Sequence, residues 1–115
     1  MTDDIRLRSA TAADAPAIHR LIADNREAGH LLPRSIDNVE EHASRFVVAE
    51  SSGRVVGCAE LAPLSPGVAE VRSLVVEESF RGRRIGGELV ARVAADGAAR
   101  GFGMLCAFTH HPAHF

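Results

Sequence analysis

The chain has no lysine, no tyrosine and only two cysteines, and no hydrophobic run in it is long. Each absence excludes something. All thirteen basic side chains are arginines, so every fixed cation is a planar fork suited to bidentate contact with phosphate or carboxylate. A GC-rich genome would leave the same mark. The formal net charge is -2, whereas a general nucleic-acid binder carries a basic excess. No apolar stretch approaches the roughly 20 residues of a membrane span. Met1-Thr2-Asp3-Asp4 is acidic and no apolar segment follows it, so it does not read as a secretory signal. Cys58 and Cys106 stand alone inside apolar segments. They fit neither a disulfide framework nor a metal motif and read as reduced, buried thiols. The expected location is the cytoplasm.

What is present is enough for one domain. The chain has 115 residues, 46% of them hydrophobic and 24% charged, which suits a single core with an ordinary surface. Ile5 to Arg8 alternates as a half-buried strand does. Thr11 with Asp14 and Pro16 resembles a helix start, and Ala15, Ile18, Leu21 and Ile22 share one helical face. Residues 29–34 read as a loop, and Ser35 opens a short second helix ending near Ser44. Phe46 to Glu50 and Arg54 to Leu61 form a hairpin around Ser51-Ser52-Gly53. Pro63, Pro66 and Gly67 mark a loop. Val68 to Glu77 is a long strand, Ile85 to about Arg100 a helix closed by Gly101, and Met104 to Phe108 a last strand. The order is β-α-α-β-β-β-α-β, an α/β domain with no internal repeat or linker.

The stretch that carries most chemistry is Arg81-Gly82-Arg83-Arg84-Ile85-Gly86-Gly87. It joins a strand to a helix. The first N–H groups of a helix lack partners within it, and the helix dipole favours an anion there. Glycines let a phosphate approach the backbone closely.

In this order of elements, Arg81-Gly82-Arg83-Arg84-Ile85-Gly86 resembles the phosphate-binding signature of the GNAT superfamily of acyl-CoA-dependent N-acyltransferases. That signature reads Arg or Gln, two residues, Gly, one residue, then Gly or Ala. Arg84 stands where its first glycine is usual, a place commonly relaxed on the reasoning that a helical N–H needs no positive φ. Gly29-His30-Leu31-Leu32-Pro33-Arg34-Ser35, Ala69-Glu70-Val71-Arg72-Ser73-Leu74 and Cys106-Ala107-Phe108-Thr109 narrow the likeness. Together they are similar to the acetyltransferase domain of short bacterial N-acetylglutamate synthases, which acetylate L-glutamate at the first step of arginine biosynthesis. The resemblance implies a mixed, mostly antiparallel sheet flanked by helices. It also implies that the C-terminal strands and helix of the domain lie beyond Phe115, so the chain reads as an incomplete domain or as one whose sheet a second copy completes in a homodimer.

The resemblance further implies acetyl-CoA as cosubstrate and a small amine as acceptor, with no metal, nucleic acid or membrane. Pyrophosphate would rest on the N–H groups of Gly82, Arg83, Arg84, Ile85, Gly86 and Gly87, with charge from Arg81, Arg83 and Arg84. The pantetheine arm would pair along Leu74, Val75 and Val76 like an added strand. An N–H of Val75 or Val76 would stabilise the oxyanion. An ammonium acceptor must lose a proton before it attacks. Glu70 is the first side-chain candidate for that base and Glu60 the second; the plain reading of Glu70 is a solvent-facing strand residue. A tyrosine acid, frequent in the superfamily, has no counterpart here.

A dicarboxylate acceptor needs cations. Arg72 is the first candidate, since two residues of strand place it on the face of Leu74. Arg34 is the second, and Thr109 could hydrogen-bond the acceptor. Each also reads plainly as a surface or strand-end residue. The histidines at 110, 111 and 114 are not read as a metal site, because adjacent strand residues face opposite ways and no acidic or cysteine ligand lies near. Two alternatives stay open: an enzyme of the same superfamily for another small amine or amino acid, and a non-catalytic acyl-CoA-binding domain.

Overall fold

The computed structural model describes residues 4–25 and 34–107. Its strands are β1 Ile5–Ser9, β2 Phe46–Ser51, β3 Arg54–Ser65, β4 Val68–Val76 and β5 Met104–Ala107. They form one sheet in the order β1-β2-β3-β4-β5. The first four make an antiparallel meander, and β5 pairs parallel to β4. The helices are α1 Ala15–Asp24, α2 Ile36–Glu41 and α3 Ile85–Ala99. The parallel last pair needs a crossover, and α3 is that crossover.

Helices cover both faces of the sheet. Ile18, Leu21 and Ile22 of α1 and Val39 of α2 pack with Phe46, Val48, Val55, Cys58 and Val75. On the opposite face Ile85, Leu89 and Val93 of α3 pack with Val47, Ala49, Val56, Ala59 and Leu61. Neighbouring residues of β2 thus enter different cores, so the strand reads as an unbroken apolar run rather than an alternation. Gly57 lets α3 sit close: a Cβ there would lie 3.2 Å from both Leu89 Cδ1 and the Val75 carbonyl oxygen. Among the described residues no helix is long and apolar enough to cross a membrane.

Two boundaries differ from expectation. The second helix stops at Glu41, and a 3-10 turn over Ala43–Arg45 follows it into β2. The loop expected at Pro63 is strand, because β3 continues to Ser65. Pro63 is tolerated there for a geometric reason. The Glu77 N–H bonds the Val56 carbonyl, so even-numbered residues of β3 turn their backbone toward β4. The nitrogen of Pro63 therefore faces the β2 side, where pairing ends at Phe46 opposite Glu60. No ladder hydrogen bond is lost.

The entry to α1 is fixed by Asp14, which is 8% exposed. Its carboxylate accepts the Thr11 N–H at 2.8 Å and both Arg8 terminal nitrogens at 2.8 and 2.9 Å. The Arg8 hydrogen bonds hold the Asp14 carboxyl below its ordinary pKa against the opposing effect of burial. The lowered folded-state pKa means that this contribution is present above the unfolded-state pKa and is lost as pH falls through the folded one. Asp14→Asn should therefore cost about 2 kcal/mol at neutral pH, the scale of a partly buried charged hydrogen bond. Urea unfolding of both proteins should show the gap closing as the pH is taken into the acid range below the carboxylate pKa.

Candidate active site

The site begins with an irregularity in β4. Cys58 lies opposite Val75 and Glu60 opposite Arg72. One residue of β3, Ala59, therefore faces two of β4, Ser73 and Leu74, which is a β-bulge. Ser73 has φ 51, left-handed for a residue with a side chain. The bulge reverses the side-chain alternation. Ala69 and Val71 lie in the α3-side core, and so do Leu74 and Val76, while Val75 lies in the other. Arg72, next to Val71, thus faces α1 and α2 and does not share a face with Leu74, contrary to the simple two-residue count.

The bulge also lies just beyond the described pairing of β4 with β5. The described part of β5 pairs with Val68–Val71. Past that point the β5-side edge of β4 has no strand partner among the described residues. The Glu77 N–H bonds β3, so alternation turns the backbone of Val76 outward to this edge and that of Val75 inward to β3. Of the two N–H groups considered for an oxyanion, that of Val76 is the one directed to the open side.

On the α1/α2 face the bulge brings charged residues together. Glu60 is 1% exposed. Its carboxylate accepts Arg34 Nη1 at 2.5 Å and Nη2 at 3.4 Å. Arg34 Nη1 also reaches Ser73 Oγ at 3.1 Å, and Nε and Nη2 reach Asn38 Oδ1 at 2.9 and 2.7 Å. The guanidinium lies 5.4 Å from the centre of the Phe46 ring. All five Arg34 donors are thereby directed at protein acceptors, so Arg34 presents no free fork to an acceptor molecule. Arg72 differs: its Nε is paired with Glu70, and its side chain is 51% exposed. Glu70 is 9% exposed, not the solvent-facing residue that its place in the strand suggested. Thr109 and the histidines at 110, 111 and 114 lie outside the described residues.

Cys58 lies under the bulge. Complete burial pushes its thiol pKa up to about 12, and it donates to the Ser73 carbonyl at 3.4 Å. It is a protonated strut rather than a nucleophile. Cys106 is partly exposed, so it is not the fully buried thiol expected. Among the described residues no group of three His, Cys, Asp or Glu could hold a metal ion.

The anion turn lies at the far end of this edge. A 3-10 turn over Glu78–Phe80 leads to Arg81, and Gly82 has φ 84. The Glu88 N–H makes the first intrahelical bond, to the Arg84 carbonyl at 3.1 Å, so those of Ile85, Gly86 and Gly87 have no helical partner. Space around them is open: a Cβ added to Gly87 would meet nothing within 4 Å, and one on Gly86 would meet Val76 Cγ2 at 3.9 Å. That contact places the helix start beside the outward-facing end of β4. A phosphate-bearing, extended ligand fits this pair of features, with its anion on the helix start and its arm along the edge of β4. Of the arginines, Arg81 is folded back, donating to the Val76 carbonyl at 3.0 Å and to Asn25 Oδ1 at 2.8 Å. Arg83 stacks 5.0 Å from the centre of the Phe80 ring. Leu74 and Val75 contribute packing, one to each core.

Sequence reasoning missed Ser73, Asn38, Asn25 and Cys58. Their types carry no signal, since each acts through a backbone or an arginine brought near by folding. Arg84 needs a correction of another kind. It caps α3 with φ 64, so the first signature glycine occupies a left-handed position, and the arginine there is strained. Arg84→Gly should raise stability by about 1 kcal/mol, read as a higher melting temperature with an unchanged circular-dichroism spectrum.

Residues 12–114 match the acetyltransferase (GNAT) family. An uncharacterised N-acetyltransferase of Chlorobaculum tepidum is 41% identical over 92 residues, covering 80% of this chain and 59% of its own length. An amino-acid acetyltransferase of Ectopseudomonas mendocina is 33% identical over 110 residues, covering 95% of this chain and 26% of its own. The structure is also similar to N-acetylglutamate synthase of Neisseria gonorrhoeae complexed with coenzyme A and N-acetyl-glutamate. The TM-score is 0.84 at 30% identity, over 99% of this chain and 27% of that one. The chain thus spans about three fifths of the first relative and about a quarter of the other two.

Proposed function

The chain belongs to the acetyltransferase (GNAT) family, and from that membership we propose that it transfers an acetyl group from acetyl-CoA to a small amine, with the α-amino group of L-glutamate as preferred acceptor. The observation that carries the reading is the edge of β4 beyond its described pairing with β5, with the outward backbone of Val76 along it and the open helix start at Gly86 at its end. Acetyl-CoA, when bound, supplies the activated acetyl thioester. The N–H groups of Ile85, Gly86 and Gly87, with those of Gly82, Arg83 and Arg84 nearby, hold its pyrophosphate. The edge of β4 holds its arm as an added strand, and the Val76 N–H is aimed at the carbonyl oxygen that gains charge.

Glu70 is the proton acceptor for the ammonium of the incoming amine. Once the amine is neutral, its nitrogen attacks the carbonyl carbon. The C–N bond forms, the C–S bond breaks, and the second proton lost by the nitrogen passes through water to the departing thiolate. Arg72 offers a half-exposed guanidinium beside Glu70, so a carboxylate on the acceptor would orient its amine toward the same pair. Arg34 serves the acceptor side indirectly, by its hold on Glu60. Thr109 is a further candidate contact. The preference for glutamate is supported by Arg72 and by the likeness to amino-acid acetyltransferases; on this reading the reaction belongs to arginine biosynthesis in the cytoplasm.

The test is thiol release from acetyl-CoA across a panel of amino acids and polyamines. Turnover selective for L-glutamate is expected. Turnover with a different amine would keep the acetyltransferase and discard glutamate, and binding without turnover would favour an acyl-CoA-binding domain. Arg72→Ala should raise the KM for the acceptor at least tenfold, about the loss of one charged hydrogen bond, while the KM for acetyl-CoA stays nearly level. Equal effects on both would remove Arg72 from the acceptor site.

A further inference from the structure

The left-handed Ser73 is strained, and a strained residue persists only where its surroundings over-determine it. Here the surroundings are specific. The Ser73 side-chain oxygen accepts from Arg34 at 3.1 Å, and its carbonyl accepts from the Cys58 thiol at 3.4 Å. Arg34 is itself held by the buried Glu60 carboxylate and by Asn38. Glu60 sits on β3, Asn38 on α2 and Ser73 on β4. The cluster therefore ties the bulge to the helix that borders the acceptor side.

We propose that Glu60 is a positioning residue for acetyl transfer, which through Arg34 holds Ser73 in the bulge and so keeps the Val76 N–H aimed outward from the β5-side edge of β4. This assignment rests on the reading of that edge as the thioester site. It gives Glu60 a part different from that of a base. Both carboxylate oxygens accept from Arg34, a mostly buried cation, so the group is already neutralised by a fixed partner. Glu70 lies beside an exposed arginine instead and keeps the proton-accepting part. The bulge sets the direction of every backbone group after it. A small rotation at Ser73 would move the Val76 N–H relative to a carbonyl oxygen, and misplacement of about 1 Å can cost a hundredfold in rate.

The test uses Glu60→Gln, Ser73→Ala and the double variant, with two readouts. The first is the isotope-edited infrared band of the thioester carbonyl of bound acetyl-CoA, measured without any acceptor. A hydrogen bond to the oxygen lowers its frequency. The second is kcat against KM for acetyl-CoA with the best acceptor of the panel. Both single variants should shift the band toward that of free acetyl-CoA. Each should lower kcat about 10- to 100-fold while the KM for acetyl-CoA changes less than about threefold. The double variant should lose no more than the worse single one, as members of one chain of contacts do. Should Glu60→Gln fail to fold, Ser73→Ala carries the test, because alanine loses the anchor and keeps the strain of the left-handed backbone.

Folded variants with the wild-type carbonyl band, or with independent and additive losses, would overturn the brace and leave the acetyltransferase standing. Wild-type protein that binds no acetyl-CoA would overturn both readings together.

Discussion

One extra residue in β4 governs this structure. Ser73 and Leu74 stand opposite a single residue of β3, and the consequences run in both directions from there. Before the bulge, β4 pairs with β5; after it, that edge has no strand partner among the described residues. Before it, Val71 faces α3; after it, Val75 faces α1. An ordinary strand of the same length would fill its own edge or leave it flat. Bulges recur next to active sites because they redirect backbone groups at a local cost.

That cost is met by polar chemistry that would otherwise make little sense in a domain this small. A carboxylate as buried as Glu60 is destabilising unless it is paired. Arg34 pairs it and spends its remaining donors on Ser73 and Asn38. Every Arg34 donor has an acceptor, and satisfied donors are the condition under which a buried polar cluster rigidifies its surroundings. The strain of a left-handed serine, about 1–3 kcal/mol, is offset within the same network. The strain at Arg84 is of the same backbone kind. It lies at an exposed helix start where function asks for open N–H groups and for charge.

The division of labour between the two faces of the sheet follows from the bulge as well. The anion turn belongs to the α3 side: Ile85 anchors it in that core, and Gly86 brings it against Val76. The charged cluster belongs to the α1/α2 side. A ligand with a phosphate at one end and a reactive carbonyl at the other would pass from the first region to the second along the open edge of β4. Arg81, bonded to both Val76 and Asn25, links the end of that edge to the end of α1.

Much of this was legible in the chain itself. The order of the elements follows from local physics: apolar alternation in β1, the helical face of Ala15, Ile18, Leu21 and Ile22, the turn at Ser52-Gly53, and the Gly- and Arg-rich start of α3. An anion site at a helix N-terminus is also a local property, since the donors belong to consecutive residues. The extent of β3 was not local, because Pro63 is admissible only where β2 has already ended. Nor was the bulge: Val71-Arg72-Ser73-Leu74-Val75 reads as plain strand, and only its register against β3 reveals the extra residue. With that register went the face of Arg72, the outward turn of Val76 and the meeting of Glu60, Arg34 and Ser73. By itself the sequence determined which elements form and where an anion can bind, because those depend on neighbours in the chain. The tertiary structure alone decided which charges meet and which way the backbone points, because pairing across strands sets both.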